Sequence, residues 1–178
     1  MQVRLKDAPA ATILEAATQL VTGLSIPVYV NDRADIALAA GARGVHLGAD
    51  DIAPARVREI APHPFRIGVS VGTREEAHSV METTVDYWSV GSIYATGSKS
   101  DAGQPIGTEG FEMLAKLAPA GTPVIAIGGI DGSNAREILD AGAGGIAVIS
   151  AIFGADDIER STRELRKVID DVRPAHRR

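Results

Sequence analysis

The stretch Ala40-Gly41-Ala42-Arg43-Gly44-Val45-His46-Leu47-Gly48-Ala49-Asp50-Asp51 decides the fold. It reads as a helix end, a glycine turn, a short apolar strand, and acids at the strand's exit. The same order of helix end, glycine turn and strand returns at Ala141-Gly142-Ala143-Gly144-Gly145-Ile146. A second strand that runs into an acid precedes it: Pro27-Val28-Tyr29-Val30 followed by Asn31-Asp32. Strands that are apolar along nearly their whole length belong to parallel sheets covered on both faces. Acids at their C-terminal ends sit where α/β proteins bind ligands.

Outward from this stretch the pattern repeats. Strands are expected at Gln2–Leu5, Pro27–Val30, Gly44–Leu47, Arg66–Ser70, Tyr87–Val90, Val124–Ile127 and Gly145–Ile149. Between them, Ile13, Leu14, Ala17, Leu20 and Val21 fall on one helical stripe, as do Phe111, Leu114, Ala115 and Ala118. Ile158, Leu165, Val168, Ile169 and Val172 form another, and Val57 and Ile60 serve a shorter helix that Pro54 helps to start. Ser133-Asn134 is expected to cap a helix ending near Ala141-Gly142.

Repeated βα units with short connectors make an α/β fold, either a doubly wound sheet or a (β/α)8 TIM barrel. No GxGxxG follows the first strand, and informative polar residues follow several different strands, so the barrel is the expectation. Seven strands stand where a barrel has eight, and 178 residues fall short of the roughly 200 usual for the fold. The expectation is therefore a single domain over 1–178, N-terminally truncated, with about seven βα units and the first unit missing. Residues 173–178 read as a disordered tail.

Composition narrows the function. Net charge is −5 and the pI about 5.3, which argues against a nucleic-acid or anionic-membrane surface. The absence of cysteine removes disulfides, thiolate metal sites and a Cys nucleophile. No apolar run approaches the roughly 20 residues that span a bilayer. The N-terminus lacks the layout of a signal peptide, so a cytoplasmic protein is expected.

Four groups of residues could carry chemistry. Gln2, Arg4 and Lys6 alternate along the first strand and its exit, and suit either a pyrophosphate or a solvated edge strand. Asn31, Asp32 and Asp51 suit Mg²⁺, which takes a few carboxylates and shares its other positions with water and phosphate. Asp also caps helices routinely, and Asp50 reads as the solvated or capping neighbour. The loop Gly91–Gly107 carries Thr96-Gly97-Ser98-Lys99, small hydroxyls and glycine around a lysine that either surround an anion or form a surface loop. Gly128-Gly129 and Ile149-Ser150 end the last two strands, where barrels place a phosphate. Ser70 ends another strand and could donate to the same ligand. His46 reads as a hydrogen-bonded interior residue, whereas His63, His78 and His176 read as exposed. No nucleophile–His–acid order and no HExxH is present, so acyl transfer and zinc hydrolysis find no support.

Taken in order, Gln2-Val3-Arg4-Leu5-Lys6-Asp7, Val30-Asn31-Asp32-Arg33, Gly44-Val45-His46-Leu47-Gly48 with Asp51, Gly68-Val69-Ser70, Gly91-Ser92-Ile93-Tyr94-Ala95-Thr96-Gly97-Ser98-Lys99, Ile127-Gly128-Gly129-Ile130 and Ile149-Ser150-Ala151-Ile152 resemble the thiamine-phosphate synthase family. The resemblance implies a TIM-barrel transferase that joins hydroxymethylpyrimidine pyrophosphate to thiazole phosphate with Mg²⁺, and a homodimer as its assembly. It implies that Gln2, Arg4, Lys6, Asn31, Ser70 and Lys99 hold the pyrophosphate, with Lys99, Arg4 and Ser70 acting on the departing group. Asp32 and Asp51 would bind the metal, and Thr96, Ser98, Gly129, Ile149 and Ser150 the thiazole phosphate. Leu5, Ala49 and Gly72 depart from the residues usual in the family. Two alternatives stay open: a thiazole tautomerase-like isomerase, and a truncated phosphate-binding barrel without activity. Retained Asp32, Asp51 and Lys99 favour the synthase, because the isomerase needs no pyrophosphate–metal site.

Overall fold

The computed structural model describes residues 1–98 and 103–172. Strand and helix alternate: β1 (Gln2–Val3), α1 (Ala10–Gly23), β2 (Tyr29–Asn31), α2 (Ala34–Ala39), β3 (Gly44–Leu47), α3 (Pro54–Ile60), β4 (Arg66–Val71) and α4 (Arg74–Val80). They continue as β5 (Tyr87–Val90), α5 (Gly107–Ala115), β6 (Val124–Ile127), α6 (Ala135–Asp140), β7 (Gly145–Ala147), α7 (Ser150–Phe153) and α8 (Ile158–Val172). Strand order follows chain order from β1 to β7, the winding of a TIM barrel carried by seven strands. All seven expected strands form, and the α/β class is the one the sequence indicates.

Three strands are shorter than expected, β2 because it starts at Tyr29 rather than at Pro27. The chain turns after β1, where Ala8 N–H bonds the Leu5 carbonyl at 3.2 Å, so Leu5 lies beyond the strand. Ile149 already stands at the N-cap of α7, its carbonyl accepting from the N–H groups of Ile152 and Phe153, so β7 stops at Ala147. None of the described helices is long and apolar enough to cross a membrane.

The chain divides into two compact units. The first comprises Met1–Ser70 and Ser79–Trp88. In it β1, β2, β3 and β4 pair in parallel, with Val30 beside Val45 and Val45 beside Ile67. Val3, Val28, Val30, Val45, Leu47, Ile67 and Val69 are buried along these strands, and Ile13, Ala17, Ala37 and Val57 are buried on the helices. Ile60, expected on the α3 stripe, is 63 % exposed, because the chain leaves the helix there and Ala61 is buried instead.

At the N-terminal ends of β4 and β5 the first unit is tied by charge. Asp86 accepts from Arg58 Nη2 at 2.8 Å, from the Ile67 N–H at 2.8 Å and from Arg66 Nη1 at 3.4 Å. Arg58 Nη1 also donates to the Phe65 carbonyl at 2.7 Å. Barrel residues at this end serve stability, and a buried pair with several partners fits that role. A cavity of about 410 Å³, lined in part by Val21, Pro27, Val28, Arg43 and Phe65, opens at the starts of β2, β3 and β4, away from the acids at their exits.

The second unit comprises Val71–His78 and Ser89–Arg178. Here β6 and β7 pair in parallel with Ile127 beside Ala147, and α8 packs on α6 and α7. Val71, Val90, Ile93, Phe111, Leu114, Ala126, Ile138, Leu139 and Leu165 are buried. The α8 stripe is buried at Leu165, whereas Ile158 at its first turn is 49 % exposed. The residues expected to form a disordered tail lie outside the described residues, and so does His176.

Candidate active site

Asp32 follows β2 in a backbone conformation that L-residues rarely adopt, with φ at 63°. Its N–H is held by the His46 carbonyl at 2.8 Å, and Arg33 N–H closes a tight turn onto the Asn31 carbonyl at 2.7 Å. A positive φ at an Asp costs of order 1–3 kcal/mol and persists only where surrounding contacts enforce it. The turn aims the carboxyl group rather than starting a helix: α2 begins after Arg33 without any side-chain cap.

Asp51 is likewise no cap. Its Oδ2 turns back to accept the Gly48 N–H at 2.6 Å, while α3 starts after Ala53 with no side-chain cap. The Asp51 side chain lies close enough to that of Asp32 to shift its titration. Half-burial, and then the adjacent carboxyl group and negative charge of Asp51, push Asp32 up to about 6. Lys6 and Arg4 lie close enough to pull it the other way. The structure thus brings Arg4, Lys6, Asp32 and Asp51 together, while Asp50 is exposed. Arg33 is occupied elsewhere, in a two-bond pair with Asp35.

Two hard oxygen donors that repel one another when both are ionised form a fitting seat for a divalent cation. Among the described residues no group of three or more His, Cys, Asp or Glu is poised for a metal. Mg²⁺ does not require one, since it binds through one or two carboxylates plus water and phosphate.

Gln2 stands exposed on β1, and Asn31 is half-buried at the end of β2, opposite His46 on β3. His46 is 5 % exposed and hydrogen-bonded as expected: Nε2 meets Ser70 Oγ at 2.9 Å and Nδ1 meets the Tyr87 hydroxyl at 3.0 Å. Ser70 is half-buried near the end of β4. Tyr87 was not singled out from the sequence. Its signal was the glycine at position 68, whose missing side chain leaves the room that the Tyr87 ring fills.

The second unit holds the remaining candidates. Ile127 pairs with Ala147 at the ends of β6 and β7, and Gly129 and Ile149 each follow two residues later. Gly129 has φ 63°, and a Cβ there would come within 2.6 Å of the Ala95 carbonyl oxygen, so only glycine allows the turn to lie against Tyr94-Ala95. Asn134 stands at the N-cap of α6, as the sequence indicates, without a side-chain cap bond; its side chain ties this turn, Nδ2 donating to the Gly129 carbonyl at 3.0 Å and Oδ1 accepting the Asp131 N–H at 2.9 Å. Ile149 and Ser150 are exposed at the start of α7, where first-turn N–H groups lack intrahelical acceptors.

The long connector after β5 is pinned at both ends. Ile93 and Tyr94 N–H groups bond the Ile127 and Gly128 carbonyls at 2.9 and 3.0 Å, and Ile106 N–H bonds the Ser92 carbonyl at 3.0 Å. Within it, Thr96 Oγ1 accepts the Ser98 N–H at 3.1 Å. Tyr94 donates from its hydroxyl to Glu137 at 3.2 Å, a contact the sequence reading did not anticipate. Lys99 lies outside the described residues.

Comparison with known proteins follows the same line. The profile of the thiamine monophosphate synthase family matches residues 1–152. A thiamine-phosphate synthase of Roseiflexus sp. (strain RS-1) is 45 % identical over 172 residues, covering 95 % of this chain and 72 % of the relative. The solved structure of a thiamine phosphate pyrophosphorylase from Pyrococcus furiosus superposes with a TM-score of 0.85 at 41 % identity, covering 96 % of this chain and 82 % of that one. A 3-hexulose-6-phosphate synthase structure, at 20 % identity, 89 % and 82 % coverage and a TM-score of 0.67, shares the fold alone. The chain belongs to the thiamine monophosphate synthase family.

Proposed function

We propose that this protein is a Mg²⁺-dependent thiamine-phosphate synthase, a transferase that joins hydroxymethylpyrimidine pyrophosphate to thiazole phosphate. The observation that carries this reading is the meeting of the Asp32 and Asp51 side chains beside Arg4 and Lys6 in a member of this family. Asp32 and Asp51 would hold the ion. When bound, Mg²⁺ supplies a Lewis acid for the negative charge that grows on the leaving pyrophosphate.

This chain's residues do the rest by placement. Gln2, Arg4, Lys6, Asn31, Ser70 and Lys99 would hold the pyrophosphate. Arg4 offers a planar fork of donors and the lysines point charges. Thr96, Ser98, Gly129, Ile149 and Ser150 would hold the thiazole phosphate, through hydroxyls and backbone N–H groups. The bond between the pyrimidine methylene carbon and the pyrophosphate oxygen breaks, with its electron pair leaving on pyrophosphate. The thiazole nitrogen then donates its lone pair to form the new carbon–nitrogen bond. No general base is required, so the catalytic contribution lies in charge stabilisation and alignment.

Steady-state assay with both substrates, with and without Mg²⁺, tests the reading. Turnover should require both substrates and the metal. Asp51→Ala should lower the rate by orders of magnitude and leave thiazole-phosphate binding largely intact. Metal-independent conversion of thiazole phosphate alone, or full turnover by Asp51→Ala, would overturn the assignment.

A further inference from the structure

We propose that His46 and Tyr87 form a hydrogen-bond relay that sets the direction of the Ser70 hydroxyl, making both of them positioning residues for the pyrophosphate-binding serine. The inference rests on the reading of Ser70 given above and extends it to residues that need not touch the leaving group themselves.

The geometry is a three-member chain. The Tyr87 hydroxyl lies 3.0 Å from His46 Nδ1, and His46 Nε2 lies 2.9 Å from Ser70 Oγ. A neutral imidazole has one donor nitrogen and one acceptor nitrogen, so fixing one bond fixes the other. Burial, with the Asp86 charge and Tyr29 close by, keeps the Tyr87 phenol protonated. Among the described residues its hydroxyl has one hydrogen-bond partner, His46 Nδ1. Leaving a buried O–H without an acceptor is costly, so Tyr87 donates to Nδ1. The imidazole proton then resides on Nε2 and is donated to Ser70 Oγ. Ser70 has one proton of its own, and with its oxygen already accepting, that proton points outward to an incoming acceptor such as a phosphate oxygen.

The backbone has been shaped for this chain. His46 lies directly opposite Gly68 in the β3–β4 pairing. A Cβ on Gly68 would run into the Cζ, Cε1 and hydroxyl of the Tyr87 ring. The Tyr87 ring thus occupies the space of a side chain that position 68 does not have, stacked on His46 with centroids 5.6 Å apart and planes at 24°. Tyr29 meets it edge-on, with centroids 5.8 Å apart. Glycine at 68 admits the ring, and the ring fixes the imidazole.

Nitrogen NMR of ¹⁵N-histidine-labelled full-length protein reads the relay without any substrate. We expect His46 as the Nε2–H tautomer in the wild type and a mixture of tautomers in Tyr87→Phe. An Nδ1–H tautomer in the wild type overturns the proposal. Kinetics supply the second readout. Tyr87→Phe should lower kcat/KM for the pyrimidine pyrophosphate about tenfold, the scale of one lost charge-assisted hydrogen bond. It should leave KM for thiazole phosphate unchanged. Combining it with Ser70→Ala should cost no more than Ser70→Ala alone, and His46→Gln, which keeps a donor, should recover part of the loss seen in His46→Ala. Independent, multiplying effects of Tyr87→Phe and Ser70→Ala overturn the relay. Full activity of Ser70→Ala in a protein that shows the Nε2–H tautomer would instead overturn the role given to Ser70.

Discussion

The side chains of Asp32 and Asp51 lie within interaction distance of each other beyond the exits of β2 and β3, and neither caps the helix that follows it. Two carboxyl groups in contact share a proton until the pH rises far enough to remove it. A cation held by both would take over the role of that proton.

The stability of the metal-free protein should therefore fall as pH rises. Asp32 is raised from 3.8 to about 6 in the folded state. The folded chain binds this proton more tightly than the unfolded chain, so the contribution is complete below the unfolded value and is lost as pH climbs through the folded one. Mg²⁺ competes with the proton, so it should raise the melting temperature near neutral pH and have little effect at about pH 4.5. Thermal melts across this range, with and without Mg²⁺, give the answer. A metal-induced shift of equal size at both ends would contradict the shared site.

Replacing Asp32 by Asn should separate stability from activity. Asn also tolerates positive φ, so the turn survives, while the repulsion with Asp51 disappears. The variant is expected to melt higher than wild type near neutral pH without metal, and to lose turnover by orders of magnitude. Loss of stability in Asp32→Asn would show that the carboxylate itself holds the turn.

Asp86 should matter to folding and not to chemistry. Its carboxylate has 8 % of its surface exposed and holds Arg58, Arg66 and the Ile67 N–H. Removing one partner of a buried pair strands the other, so Asp86→Ala should cost about 3–5 kcal/mol in urea unfolding. Turnover of the folded fraction at low temperature should match wild type. A loss below 1 kcal/mol, taking about that figure as the ceiling for a surface pair, would mean that the pair is effectively solvated.

Gly129→Ala should leave the protein folded and impair one substrate. The added methyl group meets the Ala95 carbonyl oxygen and forces the turn away from Tyr94-Ala95. KM for thiazole phosphate should rise at least about tenfold, with the pyrimidine substrate less affected. Isothermal titration with thiazole phosphate provides an independent check, and unchanged affinity would remove Gly129 from the phosphate turn.

The seven strands were legible in the linear pattern, because a short run that is apolar on both faces and bounded by glycine has few other uses. Which acids lie beyond the strand exits was equally legible, since Asp32 directly follows β2 and Asp51 lies shortly after β3 in the chain. What the sequence left open was what those acids do, because an Asp after a strand reads equally as a cap or a ligand. The tertiary structure removes the cap: no side-chain cap bond forms at α2 or α3, because Asp32 is turned by a positive φ and Asp51 by the Gly48 N–H, and the two side chains lie close together. Asn134 is the N-cap residue of α6 that the sequence indicates, but packing alone shows its side chain holding the Gly129 turn, and Tyr87 carried no motif. Position along a strand is local and can be read from periodicity. Which side chains face one another depends on strand pairing, and pairing joins residues that the linear pattern keeps apart.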